Sequence, residues 1–234
     1  MALSIVVLAA GQGTRMKSDL PKVLQPMAGR PLLAHVLDRC QELAADAVHV
    51  VYGHGGEKVK QEFAESSVNW VLQAEQLGTG HAVQQAAPHI PADHNVLVLC
   101  ADVPLIKTET LKGLLAELDR NPLSLLTVDM SDPTGYGRII RSSDGAVQAI
   151  VEHRDADAQQ RAVKEINTGL LAARADKLAG WLSGLSADND QQEYYLTDIV
   201  ALAVAGGDAV AAVTCGSESE VLGINDKLQL AEAE

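Results

Sequence analysis

Two glycines and two cations near the N-terminus form the clearest candidate for a phosphate-binding site in this sequence. Leu8-Ala-Ala-Gly-Gln-Gly-Thr-Arg15 follows an uninterrupted apolar run, and Lys22 comes shortly after it. Gly11 and Gly13 have no Cβ and can adopt positive φ, so backbone N–H groups there can approach a phosphate closely. Arg15 and Lys22 would add positive charge to the same loop. The alternative is an ordinary strand-to-loop turn with two solvated charges.

Neither of the two most familiar phosphate loops matches this stretch. A P-loop requires Gly-x-x-x-x-Gly-Lys-Ser/Thr, and a dinucleotide fingerprint requires a third Gly or Ala at the position of Met16. A nicotinamide-dependent oxidoreductase also needs a ribose-binding acid about 20 residues beyond the glycines, where residues 32–38 indicate a helix instead. A second alternative stays open, in which the protein is a nucleotide sensor without catalytic activity.

A carboxylate follows the strongest candidate for a buried strand. Asn95-Val-Leu-Val-Leu99 leads directly into Cys100-Ala-Asp102. Open α/β sheets bind their ligands at the carboxyl ends of parallel strands. A carboxylate at such a place is costly to desolvate unless it is paired or holds a metal ion. Asp102 is therefore the best candidate metal ligand, and the alternative is a turn or helix cap close to Pro104.

An amide-rich loop is the candidate for reading a nucleotide base. Gln73-Ala-Glu-Gln-Leu-Gly-Thr-Gly80 follows a short strand-like segment. An amide donates and accepts at once, so it can pair with a pyrimidine edge that does both. The pattern fits equally well a plain loop that Thr79 caps before a helix over residues 81–87. His54, in the glycine turn 53–56, is interpreted as a surface turn residue rather than a ligand or base.

The pattern along the chain predicts an α/β fold in which helices cover a mostly parallel sheet. Strand-like runs at 4–8, 47–52, 69–72, 95–99 and 123–130 alternate with helix-like runs at 32–45, 81–87 and 109–118, the last capped by Thr108. Residues 134–140 and 146–152 then predict an antiparallel pair that forms a wall for a second substrate. The remaining predictions are a polar helical excursion at 155–164, a strand at 166–171, a helix at 195–205, a strand at 209–214, a turn at 223–226 and a helix at 227–234.

Composition limits the partners that this chain can have. Asp and Glu outnumber Lys and Arg by 31 to 18, a net charge of −13, which argues against a nucleic-acid surface or an anionic membrane. Three widely spaced cysteines, Cys40, Cys100 and Cys215, indicate reduced thiols in a cytosolic protein. The N-terminus has no basic segment followed by a long apolar one, so a soluble, cytoplasmic protein is expected.

Five motifs together resemble the sugar-1-phosphate nucleotidyltransferases. Besides the N-terminal loop with Pro21-Lys22, they are Leu72–Gly80, Asp132-Pro-Thr-Gly-Tyr-Gly-Arg138, Glu165-Ile-Asn-Thr-Gly169 and Glu193-Tyr-Tyr-Leu-Thr-Asp198. Within that family, the chain is most similar to the uridyltransferase domain of the bifunctional N-acetylglucosamine-1-phosphate uridyltransferases. The resemblance implies the Rossmann-like fold of nucleotide-diphospho-sugar transferases over residues 1–226, with a small antiparallel sugar-binding extension. Residues 227–234 would begin a linker helix.

The resemblance implies a reaction and a set of site residues. The reaction is magnesium-dependent (Mg²⁺) transfer of UMP from UTP to N-acetylglucosamine 1-phosphate, which gives pyrophosphate and UDP-N-acetylglucosamine for peptidoglycan and lipopolysaccharide synthesis. By the same resemblance, the nucleotide lies against Leu8, Ala9, Ala10 and Gly11, its uracil is recognised by Gln73, Gly78 and Thr79, and the catalytic cations that hold its phosphates are Arg15 and Lys22. The substrate also lies along Cys100, Ala101 and Asp102, and the sugar is held by Gly137, Glu152 and Asn167. The metal ion is bound by Asp102 and Asn225. Without the resemblance, Glu152 fits a surface carboxylate and Asn167 a turn residue.

The sequence departs from the family pattern in two places. The family has Tyr-Gly-Asp where this chain has Cys100-Ala-Asp102, so the methyl group of Ala101 is expected to crowd a ligand lying against that backbone. The bifunctional enzymes also continue into a left-handed β-helix of hexapeptide repeats, and this sequence contains no such repeat. The acetyltransferase half and the trimer that it builds are therefore not expected, and the chain is expected to be a monomer.

Overall fold

The fold is that of a computed structural model, which describes residues 2–53 and 55–234; His54, interpreted above as a turn residue, lies outside the described residues. The strands are β1 (Leu3–Ala9), β2 (Pro26–Met27), β3 (Arg30–Pro31), β4 (Ala47–Tyr52), β5 (Asn69–Leu72), β6 (Asn95–Cys100), β7 (Leu123–Asp129), β8 (Arg138–Arg141), β9 (Val147–Val151), β10 (Glu165–Arg174) and β11 (Val210–Thr214). The α-helices are α1 (Leu32–Glu42), α2 (Glu57–Glu62), α3 (Thr79–Ala86), α4 (Thr108–Ala116), α5 (Ala158–Arg161), α6 (Ala175–Ser183), α7 (Ile199–Ala205) and α8 (Lys227–Ala233). Short 3₁₀ helices span Thr14–Met16, Lys22–Leu24, Ala87–His89, Glu117–Asp119, Leu196–Asp198 and Ser219–Val221.

Nine of the described strands form one mixed sheet. Seven of them follow the order β11-β7-β10-β6-β1-β4-β5. Within this order, β10 runs antiparallel to both of its neighbours, and the other adjacent pairs are parallel. β8 and β9 form an antiparallel hairpin, and β8 joins it to β10. The predicted fold, a mostly parallel sheet with an antiparallel extension, is confirmed.

β1 is an interior strand of the sheet, between β6 and β4, and both of its faces are apolar. Ile5 and Val7 belong to a buried cluster on one face, to which α1 and α4 also contribute. Val6 belongs to a second cluster on the opposite face, together with side chains from α3, α6 and α7. The prediction that the first apolar run is a strand buried on both faces is confirmed.

The sheet opens a crevice where β1 and β6 lie side by side. Leu8 pairs with Cys100, so both strands end at the same edge of the sheet. β1 pairs with β4 on its other side, and β6 pairs with β10 on its other side. The loops that leave β1 and β6 therefore diverge. Such a point is where open α/β sheets bind ligands. The N-terminal glycine loop and Asp102 follow these two strand ends.

Several helix boundaries differ from the predictions. α1 ends at Glu42 instead of Ala45, and Ala44 adopts a φ of 51°, which ends the helical conformation. Thr108 does not cap α4, because its hydroxyl donates to the Glu42 carboxylate and Lys107 is the residue before the helix. The predicted helix at 195–205 begins as a 3₁₀ turn, and the excursion at 155–164 holds the single helical turn α5.

Two α-helices were not predicted. α2 is short and mostly exposed. α6 buries Leu178, Trp181 and Leu182, a spacing that places all three on one helix face. That apolar spacing was the available signal for α6.

The described residues also bear on two predictions from composition. Cys40, Cys100 and Cys215 are free thiols in this structure. No helix in the part of the chain that the structure describes is both long enough and apolar enough to cross a membrane.

Candidate active site

A cleft of about 490 Å³ opens at the ends of β1 and β6. Its lining includes ten of the residues proposed from the sequence: Leu8, Ala9, Ala10, Gly11, Lys22, Gln73, Gly78, Thr79, Cys100 and Asp102. Ala101 is not among the lining residues, because its side chain is buried in the core cluster that also contains Val103 and Ile106. Its N–H donates to the Leu8 carbonyl at 3.0 Å. The expectation that the Ala101 methyl group crowds a ligand is therefore wrong.

The two glycines of the N-terminal loop have different roles. Gly13 adopts a φ of 62° and lies against Lys22, where a Cβ would come within 2.5 Å of the Lys22 Cβ. Gly11 does not adopt positive φ, and a Cβ there would meet no other atom within 4 Å. Gly13 thus lets the chain turn back and bring Lys22 over the loop. Gly11 leaves bare backbone facing open space at the mouth of the cleft.

Lys22 is the centre of a polar cluster that joins distant parts of the chain. Its ammonium group contacts the Asp102 carboxylate and lies 3.1 Å from Asn225 Oδ1. Arg15 donates to the same Asn225 oxygen at 2.9 Å. The side chains of Lys22 and Asp102 are only 12% and 20% exposed, so water screens their attraction less than at the surface. Two cationic side chains, and two side chains that offer oxygen atoms as ligands, therefore converge at one side of the cleft.

The turn that carries Asn225 is tied to the end of β6. The Ile224 N–H donates to the Asp102 carbonyl at 2.8 Å. Ile224 is fully buried in a small cluster with Met16, the residue after Arg15. Asn225 Nδ2 donates to the Gly223 carbonyl at 3.0 Å, which turns Oδ1 toward the cations. Packing and hydrogen bonds thus bring Arg15, Asp102 and Asn225 together across the length of the chain.

The side-chain oxygens of this cluster are suitable ligands for a hard divalent cation. The carboxylate of Asp102 and the amide oxygen of Asn225 both contact a single positive charge, the Lys22 ammonium. Mg²⁺ prefers oxygen ligands and takes one or two of them from the protein, with substrate phosphates and water completing its shell. Among residues 2–53 and 55–234, no three His, Cys, Asp or Glu side chains form a metal-binding group. These residues therefore suit an ion that a bound phosphate helps to hold.

A second pocket, of about 220 Å³, lies beside the cleft. Gly137, Glu152 and Asn167 line it, and it shares Leu8, Thr79 and Cys100 with the cleft. A shift in the pairing of β10 with β7 follows Asn167, and the Asn167 N–H donates to the Gly137 carbonyl at 2.9 Å. The two pockets thus meet along a shared wall, so that two ligands can approach each other there.

Glu152 is a half-buried carboxylate in the wall of the second pocket. Burial raises the pKa of the Glu152 carboxyl group, and the negative charges of Asp198 and Asp155 raise it too. The Thr197 hydroxyl donates a hydrogen bond to this carboxylate at 3.0 Å and opposes the rise in pKa. Gly137 lies against the same carboxylate, since a Cβ there would be 3.3 Å from Glu152 Oε1. A glycine at this position leaves the carboxylate open to a polar ligand.

Cys100 stands between the two pockets as a neutral side chain. Burial and, to a smaller extent, the charge of Asp102 raise the pKa of its thiol to about 12, although the charge of Lys22 opposes both. A thiol with so high a pKa stays protonated, and it is therefore a poor nucleophile. It packs against Gly169, where a Cβ would come within 3.2 Å of Cys100 Sγ. Gly169 has a φ of 83°.

Residues 5–166 of this chain match the family model described as the MobA-like NTP transferase domain. The match covers more than half of the chain. The chain belongs to this family. The chain is also 59% identical over 233 residues to the bifunctional protein GlmU of Alkalilimnicola ehrlichii, and these residues make up 100% of this chain and 50% of that protein. It is 57% identical over 234 residues to the bifunctional protein GlmU of Pseudomonas aeruginosa, with shares of 100% and 51%.

The chain therefore spans about half the length of the curated relatives that it matches. Two solved structures share the fold of this NTP transferase domain. A UDP-glucose pyrophosphorylase complexed with UDP-glucose has a TM-score of 0.79, at 16% identity over 100% of this chain and 97% of that one. HddC from Yersinia pseudotuberculosis complexed with GMP-PN has a TM-score of 0.69, at 18% identity over 98% and 97%. The predicted resemblance to sugar-phosphate nucleotidyltransferases is confirmed.

Thr79, the candidate loop cap of this NTP transferase domain, has a different contact from the one predicted. The residue before α3 is Gly78, and the Thr79 hydroxyl accepts from the Leu196 N–H at 3.1 Å. The Gly80 N–H donates to the Tyr194 carbonyl at 2.8 Å. The plain-loop alternative was wrong about the cap. Thr79 and Gly80 instead fix the amide-rich loop to the segment around Tyr194.

Sequence reasoning missed two amides in the cleft, Gln12 and Gln76. Gln76 donates to the Ala10 carbonyl through its side-chain amide. Gln12 in turn donates to Gln76 Oε1 at 2.6 Å. These bonds hold the glycine loop to the amide-rich loop across the top of the cleft. The available signal was the second amide of the same loop motif, three residues after Gln73.

Proposed function

We propose that residues 1–226 catalyse Mg²⁺-dependent transfer of UMP from UTP to N-acetylglucosamine 1-phosphate. The products are UDP-N-acetylglucosamine and pyrophosphate, as the resemblance of the five motifs implies. The observation that carries the proposal is the convergence of Arg15, Lys22, Asp102 and Asn225 at the side of a cleft that borders a second pocket. Two polyanionic substrates can meet only where positive charge offsets their repulsion.

The two pockets support separate places for nucleotide and sugar. In the proposal, the nucleotide occupies the larger cleft, with its base near Gln73 and its phosphates near Lys22. The sugar occupies the smaller pocket, where Glu152 and Asn167 offer polar groups for its hydroxyl and N-acetyl groups. A fold neighbour is described as a UDP-glucose pyrophosphorylase complexed with UDP-glucose, a ligand that contains both a nucleotide and a sugar.

The reaction requires positioning and charge neutralisation rather than a covalent intermediate. A phosphate oxygen of the sugar phosphate attacks the α-phosphorus of UTP, and the bond from that phosphorus to the bridging oxygen of pyrophosphate breaks. Lys22 and Arg15 stabilise the charge that develops on the phosphate oxygens. Asp102 and Asn225 would hold Mg²⁺, which neutralises further phosphate charge when bound. The protonated thiol of Cys100 makes no bond in this scheme.

The C-terminal segment, the oligomeric state and the cellular compartment are also part of the proposal. Residues 227–234 would begin a linker helix, which corresponds to α8, and the exposed Leu228 lies on it. We propose a monomer in the cytoplasm, with UTP, N-acetylglucosamine 1-phosphate and UDP-N-acetylglucosamine as its small-molecule partners. The reduced thiols accord with that compartment.

Pyrophosphate release tests the proposed function. The purified chain is mixed with Mg²⁺, one of the four nucleoside triphosphates and one of several sugar phosphates, with and without a chelator. We expect rapid release only with UTP, N-acetylglucosamine 1-phosphate and metal, and an Asp102→Asn variant should lose it. Asp93→Asn, which changes an exposed carboxylate elsewhere, is the matched control. Tight UTP binding without pyrophosphate release would favour the nucleotide sensor and contradict the proposal.

A further inference from the structure

We infer that His81 is a specificity-determining residue that fixes the side-chain amide of Gln73 with its oxygen toward the nucleotide base. The identity of that base rests on the proposed function. His81 belongs to α3, one turn after the amide-rich loop, and it is not among the residues that line the cleft. It would therefore act through Gln73 rather than by touching the nucleotide.

Both donor positions of the Gln73 amide are occupied within the protein. Gln73 lines the cleft with only 3% of its surface exposed. Its Nε2 donates to the Gly78 carbonyl at 3.0 Å and lies 3.1 Å from His81 Nδ1. An amide nitrogen carries two hydrogens, and these two contacts use both. Gln73 Oε1 accepts no hydrogen bond from any residue that the structure describes, which leaves it for a ligand.

The contact with Gln73 determines the tautomer of His81. Because Gln73 donates to Nδ1, that nitrogen must carry a lone pair, and the neutral ring has its proton on Nε2. His81 Nε2 lies 3.1 Å from the amide nitrogen of Gln85. A neutral imidazole accepts at only one nitrogen, so it cannot accept from both glutamines. One of the two amides must therefore present its oxygen to the ring.

The second contacts of the two glutamines show which amide turns. Gln73 also donates to the Gly78 carbonyl at 3.0 Å, and a reversed Gln73 amide would place two oxygens against each other there. The other contact of Gln85 is a long one, 3.4 Å to the His81 carbonyl. Gln85 therefore presents its oxygen to His81 Nε2–H. The result is an ordered chain from Gln85 through His81 to Gln73.

This chain of hydrogen bonds selects between two pyrimidines. The fixed Gln73 oxygen accepts from a base that carries an N–H at its edge, as uracil does at N3. Cytosine has a lone pair at N3 and would face that oxygen unfavourably. A reversed amide would offer N–H groups instead and would favour cytosine. Unpaired polar groups in a buried site are costly, so the orientation of this one amide discriminates UTP from CTP.

Binding of UTP and CTP to His81 variants, measured by calorimetry, tests the inference. His81→Leu removes the acceptor, whereas His81→Asn retains an oxygen at the position of Nδ1. We expect the UTP-over-CTP preference to narrow about tenfold in His81→Leu and to stay close to the wild-type value in His81→Asn. His89→Phe, which replaces an exposed histidine just beyond the same helix, is the matched control. His81→Ala gives the same comparison if the Leu variant does not fold, as judged by thermal melts.

Three results would overturn the inference. They are an unchanged preference in His81→Leu or His81→Ala, equal narrowing in His81→Asn, and a wild-type protein that binds UTP and CTP equally. Because binding is measured without the second substrate, these results are separate from those on the proposed reaction. A protein that prefers UTP but releases no pyrophosphate would refute the reaction and leave the role of His81 standing.

Discussion

Replacing Lys22 by Met should lower both the stability and the activity of the protein. Met keeps the apolar stem that packs on Gly13, but it leaves Asp102 and Asn225 without the ammonium that they share. Breaking a buried ion pair costs roughly 3–5 kcal/mol, and an exposed pair contributes about 0–1 kcal/mol. The Lys22 and Asp102 side chains, at 12% and 20% exposure, lie between these limits, so we expect a loss of about 2 kcal/mol. For a chain of this size, that lowers the Tm by about 4–8 °C.

Added Mg²⁺ should then restore the stability of Lys22→Met more than that of the wild type. Without the competing ammonium, the oxygens of Asp102 and Asn225 are free for the ion, and Mg²⁺ at ten times its Kd would return about 1.4 kcal/mol. Turnover should nevertheless stay on the order of a hundredfold lower. The assay is a thermal melt over a series of Mg²⁺ concentrations, with the exposed Lys58→Met as the control. A variant that melts like the wild type, or whose Tm does not respond to Mg²⁺, would refute the shared-cation arrangement.

Three further substitutions test separate parts of the site. Arg15→Ala should leave the Tm unchanged, because the side chain is exposed, and should lower kcat/KM on the order of a hundredfold; near-normal turnover would contradict the phosphate cradle. Burial raises the pKa of Glu152, so wild-type sugar-phosphate affinity should fall as pH drops through that pKa, and Glu152→Gln should remove this fall; identical pH profiles would refute the role. Gly78→Ala should cost about 1–3 kcal/mol, since Gly78 has a φ of 109° and a Cβ would lie 2.6 Å from the Tyr194 carbonyl oxygen. Gly113→Ala, where a Cβ meets no atom within 4 Å, should cost nothing in the same melts.

Local sequence patterns were sufficient to predict most of the sheet. The apolar runs at 47–52 and 69–72 correspond to β4 and β5 with the same bounds. The antiparallel pair predicted at 134–140 and 146–152 corresponds to β8 and β9, although β8 begins only at Arg138. These elements are predictable because alternation of side chains and turn residues act over a few positions. Helix ends were less predictable, because hydroxyls such as that of Thr108 bond to a distant carboxylate rather than to their own helix.

The polar centre of the site could not be predicted from spacing alone. Asp102 and Asn225 come together through the Ile224 N–H and the packing of Ile224 beside Met16. Neither contact leaves a trace in the sequence near Asp102. The pairing came from the resemblance to a family, and the structure places the two side chains on the same ammonium.

Ala101 shows a second limit of reasoning from sequence. A methyl group next to Asp102, the proposed metal ligand, is expected from sequence to be an obstacle to a ligand. The direction of a side chain after a strand end depends on the backbone, and here the Ala101 N–H bonds back to Leu8 and the methyl group turns into the core. Cys100, the residue before Ala101, is instead among the residues that line both pockets.

The most direct test of the central claim is a double-mutant cycle on Asp102 and Asn225. It compares kcat/KM for Asp102→Ala, Asn225→Ala and the double variant at several Mg²⁺ concentrations, with folding checked by thermal melts. If the two residues hold one ion, either substitution removes most of the activity, and the double variant is little worse than Asp102→Ala. The Mg²⁺ concentration required by Asn225→Ala should also rise, because Asp102 and the substrate phosphates still hold the ion weakly. Strictly additive losses, or an unchanged Mg²⁺ requirement in Asn225→Ala, would contradict the claim that these residues share a metal.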